Sequence, residues 1–276
     1  MSDSRSTPPS QTAERPGRVR RVGLIVHGRP ERIGDAAQRL AAVADRCGVE
    51  VDGQATDGDL LVVLGGDGTM LRALHLVIGS HTPCLGVNFG RVGFLTAVEG
   101  AEIEVGLEQA FCGAYTVVEV PTIVADDGSE QVTGVNDIVL TSSLLGRMAL
   151  LEWAVDGESL GELGCDGAIV STSTGSTAYN LSAGGPVVGW GLDAFVVSFV
   201  SPHSLHARPM VLGRPHRLSF TNRSDDVPVQ VIVDGHIYGR LEPGGRLELG
   251  MGEMYAHLAR LHGSSFFSRY RETFSS

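Results

Sequence analysis

Short, wholly apolar runs alternate with segments of helical spacing through the first hundred residues. The apolar run over 22–26 predicts a strand that ends at Gly28-Arg29-Pro30. Ala36, Ala37, Leu40, Val43 and Ala44 then recur at helical intervals, and Gly48 marks the stop. Five consecutive apolar residues over 60–64 run into Gly65-Gly66-Asp67-Gly68-Thr69. Such a run, bounded by turn residues, predicts a strand buried on both faces, as in a parallel sheet. Thr69 can cap a following helix that carries Met70, Leu71, Leu74, Val77 and Ile78. A strand over 84–88, a glycine-punctuated loop and a helix over 102–111 complete the alternation. The expectation is an α/β domain with a parallel sheet over 20–113.

From Tyr115 the texture changes. Strands are predicted over 116–120, 122–125, 138–141, 150–155, 195–200, 217–220 and 229–233. The turn signals Asp127-Gly128, Asp156-Gly157, Asp234-Gly235 and Gly244-Gly245 lie between or beyond them. A second, mainly β domain over 114–256 follows. Residues 254–261 read as a final helix and 266–274 as an aromatic-rich segment with bases. The segment 257–276 is expected to pack back on the first domain. Residues 1–19 hold no apolar pattern, so they read as a disordered tail and not as a signal peptide.

Composition narrows the chemistry. The 276 residues carry 21 basic and 32 acidic side chains, a net charge of −11, and every one of the basic residues is arginine. Without lysine there is no Schiff-base chemistry, no lysine general base and no Walker-type phosphate lysine. The acidic balance argues against nucleic acid or an anionic membrane as partner. No apolar run approaches the ~18–20 residues that span a bilayer. Cys47, Cys84, Cys112 and Cys165 are scattered without a C-x-x-C pair. Free thiols in a reducing, cytoplasmic setting are the expectation. The string Gly157-Glu158-Ser159-Leu160-Gly161 lacks the helix a hydrolase elbow needs. His203 and His206 lack the glutamate and spacing of a zinc site.

The glycine loop is the most informative local feature. Gly65, Gly66 and Gly68 leave backbone N–H groups free to close on phosphate oxygens, and the helix opening at Thr69 adds its positive end. A carboxylate in a phosphate cradle repels the ligand. Asp67 makes sense there if it takes a proton from an attacking hydroxyl or positions a metal ion. The alternative is a tight turn with a helix-capping acid.

The loop alone resembles a wider superfamily of lipid kinases and phosphofructokinases. Residues 86–96, 135–140, 166–186, 202–209 and 233–235, taken in order, resemble the NAD kinase family and most closely its bacterial, actinobacterial-like members. The resemblance covers residues 22–274. It implies the NAD kinase/diacylglycerol kinase-like fold, with a Rossmann-like α/β domain before a mainly β dinucleotide-binding domain. The implied reaction phosphorylates the 2′-hydroxyl of the adenosine ribose of NAD to give NADP, from ATP or inorganic polyphosphate. Asp67 is the implied catalytic base. Gly65, Gly66, Gly68 and Thr69 form the phosphate loop, and Arg72 lies one turn on, free to reach a phosphate or to face solvent. Phe94 matches a phenylalanine near the adenine, and Asn136 and Asp137 match a pair that holds base and ribose hydroxyls. Thr177, Ala178, Tyr179, Asn180, Leu181 and Ser182 match the segment lining the dinucleotide pocket. Arg147 and His236 fall at nucleotide-facing positions. Asp166 matches a carboxylate that in relatives reaches the nicotinamide end from a neighbouring subunit, which implies a homodimer or homotetramer. Gly164 stands where many relatives carry arginine or a large polar residue, and so bears on donor selectivity near the phosphate-donor region. Mg²⁺ is expected to arrive with the donor phosphates and not on a protein-only metal site. A weak dinucleotide sensor and a lipid kinase are the rival readings. Retention of Asp67, Asn136 and Asp137 counts against the first, and the 177–182 run against the second.

Overall fold

Alternate residues of one strand reach opposite faces of the sheet, and this explains the apolar run over 60–64. In the computed structural model, which describes residues 17–28, 33–53, 56–90, 93–263 and 265–275, β1 (Arg21–Val26), β2 (Glu50–Val51), β3 (Leu60–Leu64), β4 (Cys84–Asn88) and β5 (Val98–Glu99) pair in parallel. Leu60, Val62 and Leu64 of β3 pack against α1 (Ala36–Cys47) and α3 (Ile103–Phe111). Leu61 and Val63 pack against Met70, Ala73 and Leu74 of α2 (Asp67–Leu76) on the other face. With helices on both sides no residue of β3 faces water, so the period-2 alternation disappears. Gly48 closes α1 at φ 66°, a conformation that costs glycine no Cβ clash. α2 begins two residues earlier than expected. Its N-cap is Gly66, and Thr69 is buried inside the first turn.

The second half is built from β6 (Tyr115–Asp126), β7 (Gln131–Gly134), β8 (Asp137–Ser142), β9 (Ala149–Val155), β10 (Glu158–Cys165), β11 (Gly167–Thr172), α4 (Tyr179–Ser182), β12 (Ala194–Val200), β13 (Met210–Gly213), β14 (Leu218–Asn222), β15 (Val229–Val233), β16 (His236–Leu241), β17 (Arg246–Leu261) and α5 (Phe266–Phe274). Among the described residues, β13-β12-β11-β8-β15-β16 form a six-stranded antiparallel sheet. The parallel strands do not end in a sheet of their own. β17 pairs with β4 at Leu258, with β6 along most of its length and with β14, so one mixed sheet of eleven strands runs through both halves. Ile123, Leu151, Phe220 and Leu249 from that sheet meet Ile138, Leu140, Val170 and Val197 from the six-stranded one in a shared core.

Three readings change. Residues 254–261 are the end of β17 and not a helix. It pairs with β6 from Tyr255 onward and with β4 at Leu258, and 258–261 are all buried, which removes the alternation that marks a strand. The segments 116–120 and 122–125 are one strand, β6. Pro121 lies beside the register shift between Met251 and Tyr255, where the ladder does not need its missing N–H. Residues 1–16 of the expected tail lie outside the described residues. Val19, by contrast, is buried and donates to the Phe111 carbonyl at 3.0 Å. The expected boundary after 256 falls within β17. All four cysteines are unpaired. No helix among the described residues is long and apolar enough to cross a membrane.

Candidate active site

The strand-to-helix turn at 64–67 delivers Asp67 to the first turn of α2. A Cβ on Gly65 would sit 2.5 Å from Thr69 Oγ1, so only glycine lets the loop fold onto the helix it precedes. Gly68 has open space where a side chain would be, which leaves the loop backbone approachable. The Asp67 carboxylate accepts hydrogen bonds from the amides of Phe94 at 2.7 Å and Leu95 at 3.0 Å. Gly93 is what allows this, because a Cβ there would meet the Asp67 carboxylate at 2.1 Å. Burial pushes the Asp67 carboxyl above its ordinary range, and the amides and the Arg269 charge pull it partway back. A carboxylate raised by burial and held at both oxygens has the setting a proton acceptor needs.

Across α2 the β domain presents a second acid. Asp137, at the start of β8, is buried, and burial followed by the nearby Asp234 charge raises its carboxyl to about 7. Asp234 binds the same turn from β15, accepting from the amides of Val135 at 2.7 Å, Asn136 at 2.7 Å and Asp137 at 3.1 Å. It also faces His75 of α2 at 3.4 Å, which raises the His75 imidazole. Asn136 Oδ1 is buried without a hydrogen-bond partner. A buried amide oxygen without a donor and a buried acid beside another carboxylate are both costly, and a polar ligand would relieve both. Leu71, Arg72 and His75 of α2 face Val233, Asp234, His236 and Ile237 across a cavity of about 380 Å³. Val135 packs in one core with Met70, Leu74 and Leu95, so the walls carrying Asp67 and Asp137 share their packing.

The segment after β11 is tied to the same turn. Thr172 Oγ1 donates to the Val135 carbonyl at 2.7 Å, and a Cβ on Gly175 would meet the Asn136 carbonyl oxygen at 2.1 Å. Thr177, Ala178 and Leu181 follow half-buried, with Tyr179 and Ser182 exposed. Asn180 corrects one expectation. Its amide donates to the Ser176 and Pro186 carbonyls and its oxygen accepts from Ser198, so the fold uses the side chain completely. Phe94 packs its ring against Phe266 and Phe274.

Arg147, Gly164 and Asp166 are not brought to this cluster. Asp137 opens β8 opposite Ser171, whereas Asp166 lies beside Ser142 at the other end of the same ladder. Five residues of strand put roughly 16 Å between the two ends. Arg147 is exposed there and pairs with Asp226 through two hydrogen bonds of 2.7 Å. Gly164 lies on β10 opposite Leu150, two residues before Asp166. Gly93, Asp234 and His75 are the residues that sequence reasoning passed over. Asp234 had two signals, an Asp-Gly turn pair and its place in the 233–235 stretch of the family resemblance, but neither gave its side chain a role. Among the described residues no three His, Cys, Asp or Glu side chains converge as metal ligands.

A glycine loop at the carboxyl ends of parallel strands, joined through one sheet to a β sandwich with unsatisfied polar groups, defines a two-domain nucleotide-binding phosphotransferase. Residues 29–115 match the ATP-NAD kinase N-terminal domain and residues 135–261 the ATP-NAD kinase C-terminal domain. The NAD kinase of Gemmatimonas aurantiaca is 40% identical over 228 residues, 79% of this chain and 78% of that one. NAD kinase 2 of Streptomyces coelicolor is 37% identical over 92% of this chain and 89% of its own. A crystal structure of an NAD kinase from Archaeoglobus fulgidus in complex with ATP superposes with a TM-score of 0.77 at 27% identity, covering 91% of this chain and 98% of that one. The yeast NADH kinase shares the fold, with a TM-score of 0.81 at 20% identity over 94% of this chain and 88% of its own. The chain belongs to the NAD kinase family.

Proposed function

We propose that this chain transfers a phosphoryl group to the 2′-hydroxyl of the adenosine ribose of NAD, with ATP as one donor and inorganic polyphosphate as a second. The observation that carries the reading is the carboxylate of Asp67, raised by burial, and, across α2, a buried Asn136 oxygen without a partner next to the Asp137 carboxyl that burial and Asp234 raise. Asn136 and Asp137 would take the adenine edge and ribose hydroxyls. Thr177, Ala178, Tyr179 and Ser182 would line the base, and Arg72 and His236 would face the pyrophosphate side. Asp67 accepts the hydroxyl proton as the ribose oxygen bonds to the terminal phosphorus of the donor. The bond to the leaving phosphate breaks and carries its electron pair away. The Gly65–Gly66–Gly68 backbone and the α2 N-terminus would face the donor phosphates, whose developing charge a Mg²⁺ ion carried by them would offset.

Asp166 lies at the far end of the ladder and Gly164 two residues before it on β10, which favours a closed homo-oligomer in which one subunit supplies them to another's ligand. A Cβ at Gly164 would meet only Met148 Cε at 3.9 Å, so an arginine fits there without strain. The test follows NADP formed from NAD with ATP or polyphosphate, with light scattering at assay concentration. The expected result is turnover with both donors by an oligomer, and selective loss of polyphosphate use in Gly164→Arg. No NADP from either donor overturns the reading. Use of ATP alone overturns the second donor, and a fully active monomer overturns the shared site.

A further inference from the structure

The last helix ends in the active site's supporting layer. Ser265 caps α5 reciprocally, accepting from the Ser268 amide at 3.0 Å while the Ser265 amide donates to Ser268 Oγ at 2.9 Å. The helix start is therefore fixed, and its buried face carries Phe266 and Arg269. Phe266 lies 5.4 Å from the Trp190 ring and 6.0 Å from Phe94, and Phe274 lies 6.0 Å from Phe94. Arg269 is 8% exposed. Its Nη2 donates to the Thr96 carbonyl at 3.2 Å and its Nη1 to Glu272 at 3.1 Å, while its buried Nε has no acceptor.

This is an expensive place for a cation. Arg260 of β17, stacked over Trp190 at 4.4 Å, is pushed down to about 10 by burial and then by the Arg269 charge. Two buried guanidiniums that repel each other need a compensating role. The residues Arg269 grips supply one, because Thr96 directly follows Phe94 and Leu95, whose amides hold both oxygens of Asp67. We infer that Arg269 is a positioning residue for the phosphoryl-transfer base: docked by α5, it clamps the 94–96 turn whose amides hold Asp67 and adds a buried positive charge to that layer. The electrostatics agree in sign, since the Arg269 charge lowers the Asp67 carboxyl against the rise from burial. The amides of 94–96 and Arg269 are the groups acting on Asp67 among the described residues, and Arg260 and Glu272 are the charges acting on Arg269.

The inference rests on Asp67 being the base, and the experiment separates the two. Arg269→Gln, Arg269→Lys and Asp67→Asn are compared with wild type for kcat and NAD KM across pH 5–9, with thermal midpoints alongside. Losing the cation raises the Asp67 carboxyl, so the acid limb of kcat in Arg269→Gln moves up by about one pH unit. Turnover below the limb then falls about tenfold, with NAD KM within about twofold of wild type. Arg269→Lys keeps the charge but not the planar fork, so its limb stays in place while kcat drops. An unmoved limb in Arg269→Gln, or a loss confined to KM, overturns the inference. Should the glutamine variant fail to fold, a shifted limb in the lysine variant overturns it equally. Wild-type turnover in Asp67→Asn instead overturns the base.

Discussion

Asp67 and Asp137 are both acids lifted above their ordinary range first of all by burial, and the protein treats them in opposite ways. Asp67 is held by two backbone amides and lies within the field of a buried arginine. Asp137 has another carboxylate beside it, and its neighbour Asn136 keeps a buried oxygen without a partner. One acid is fixed before any ligand arrives. The other is a stored cost that a ligand's hydroxyls would relieve. Catalytic groups gain from preorganisation, whereas binding groups gain from being left unsatisfied, because the relief then appears as affinity.

The strongest way to break this comparison is at Asp67. Asp67→Asn keeps the shape but cannot take the ribose proton, so kcat should fall by ~10²–10⁴ with NAD affinity largely kept. The asparagine also has one acceptor oxygen where Phe94 and Leu95 offer two amides. Loss of one of those bonds is offset by removal of a charge that burial disfavours, so the thermal midpoint at neutral pH should change little. Rapid-quench turnover and thermal melts on the same sample check both. A variant with wild-type kcat would make Asp67 a structural cap.

Asp137→Asn should do the reverse. NAD binding weakens about tenfold to a hundredfold as a charged acceptor is lost, yet the ligand-free protein becomes more stable. With a folded value of about 7, the folded state keeps its proton while the unfolded chain ionises from about pH 4 upward. Stability from this group is therefore lost as pH rises between those values, by on the order of a few kcal/mol, and the penalty stays in full above the window. The variant's gain in thermal midpoint should be near zero at pH 4 and largest above pH 7. An equal gain at both would mean that packing, and not ionisation, sets the cost.

How much of this was legible beforehand depended on whether a feature was local. The α/β half reads well because β3 is bounded by glycines and α1 and α2 repeat at helical spacing. β17 was misread because its partners on both sides come from distant sequence. Asp67 was singled out by its glycine loop, and Asn136 and Asp137 by the family resemblance. Gly93, which makes room for the Asp67 carboxylate, and Arg269, which lies more than 170 residues from its contact at Thr96, have no local signature. Asn180 fails the other way. It sits in the segment the resemblance gives to the dinucleotide pocket, but the fold has already used its amide.

The smallest effect sharpens the comparison at its hinge, the His75–Asp234 contact at 3.4 Å. Asp234 helps raise Asp137, and a protonated His75 offsets the Asp234 charge. The hydrogen bond to Asp234 raises His75 above its unfolded value, so its stabilisation is complete below about pH 6.5 and is lost as pH climbs through the raised value. The His75 side chain is 47% exposed, and solvent screening holds the contribution under about 1 kcal/mol. His75→Ala should therefore lower the melting temperature slightly at pH 6 and less at pH 9. Without the imidazolium, Asp137 feels the whole Asp234 charge, so the window over which Asp137 costs stability moves to higher pH. A double-mutant cycle with Asp137→Asn isolates that coupling. Equal losses at both pH values, with no coupling, would reduce His75 to a packing residue and leave the cost at Asp137 to burial alone.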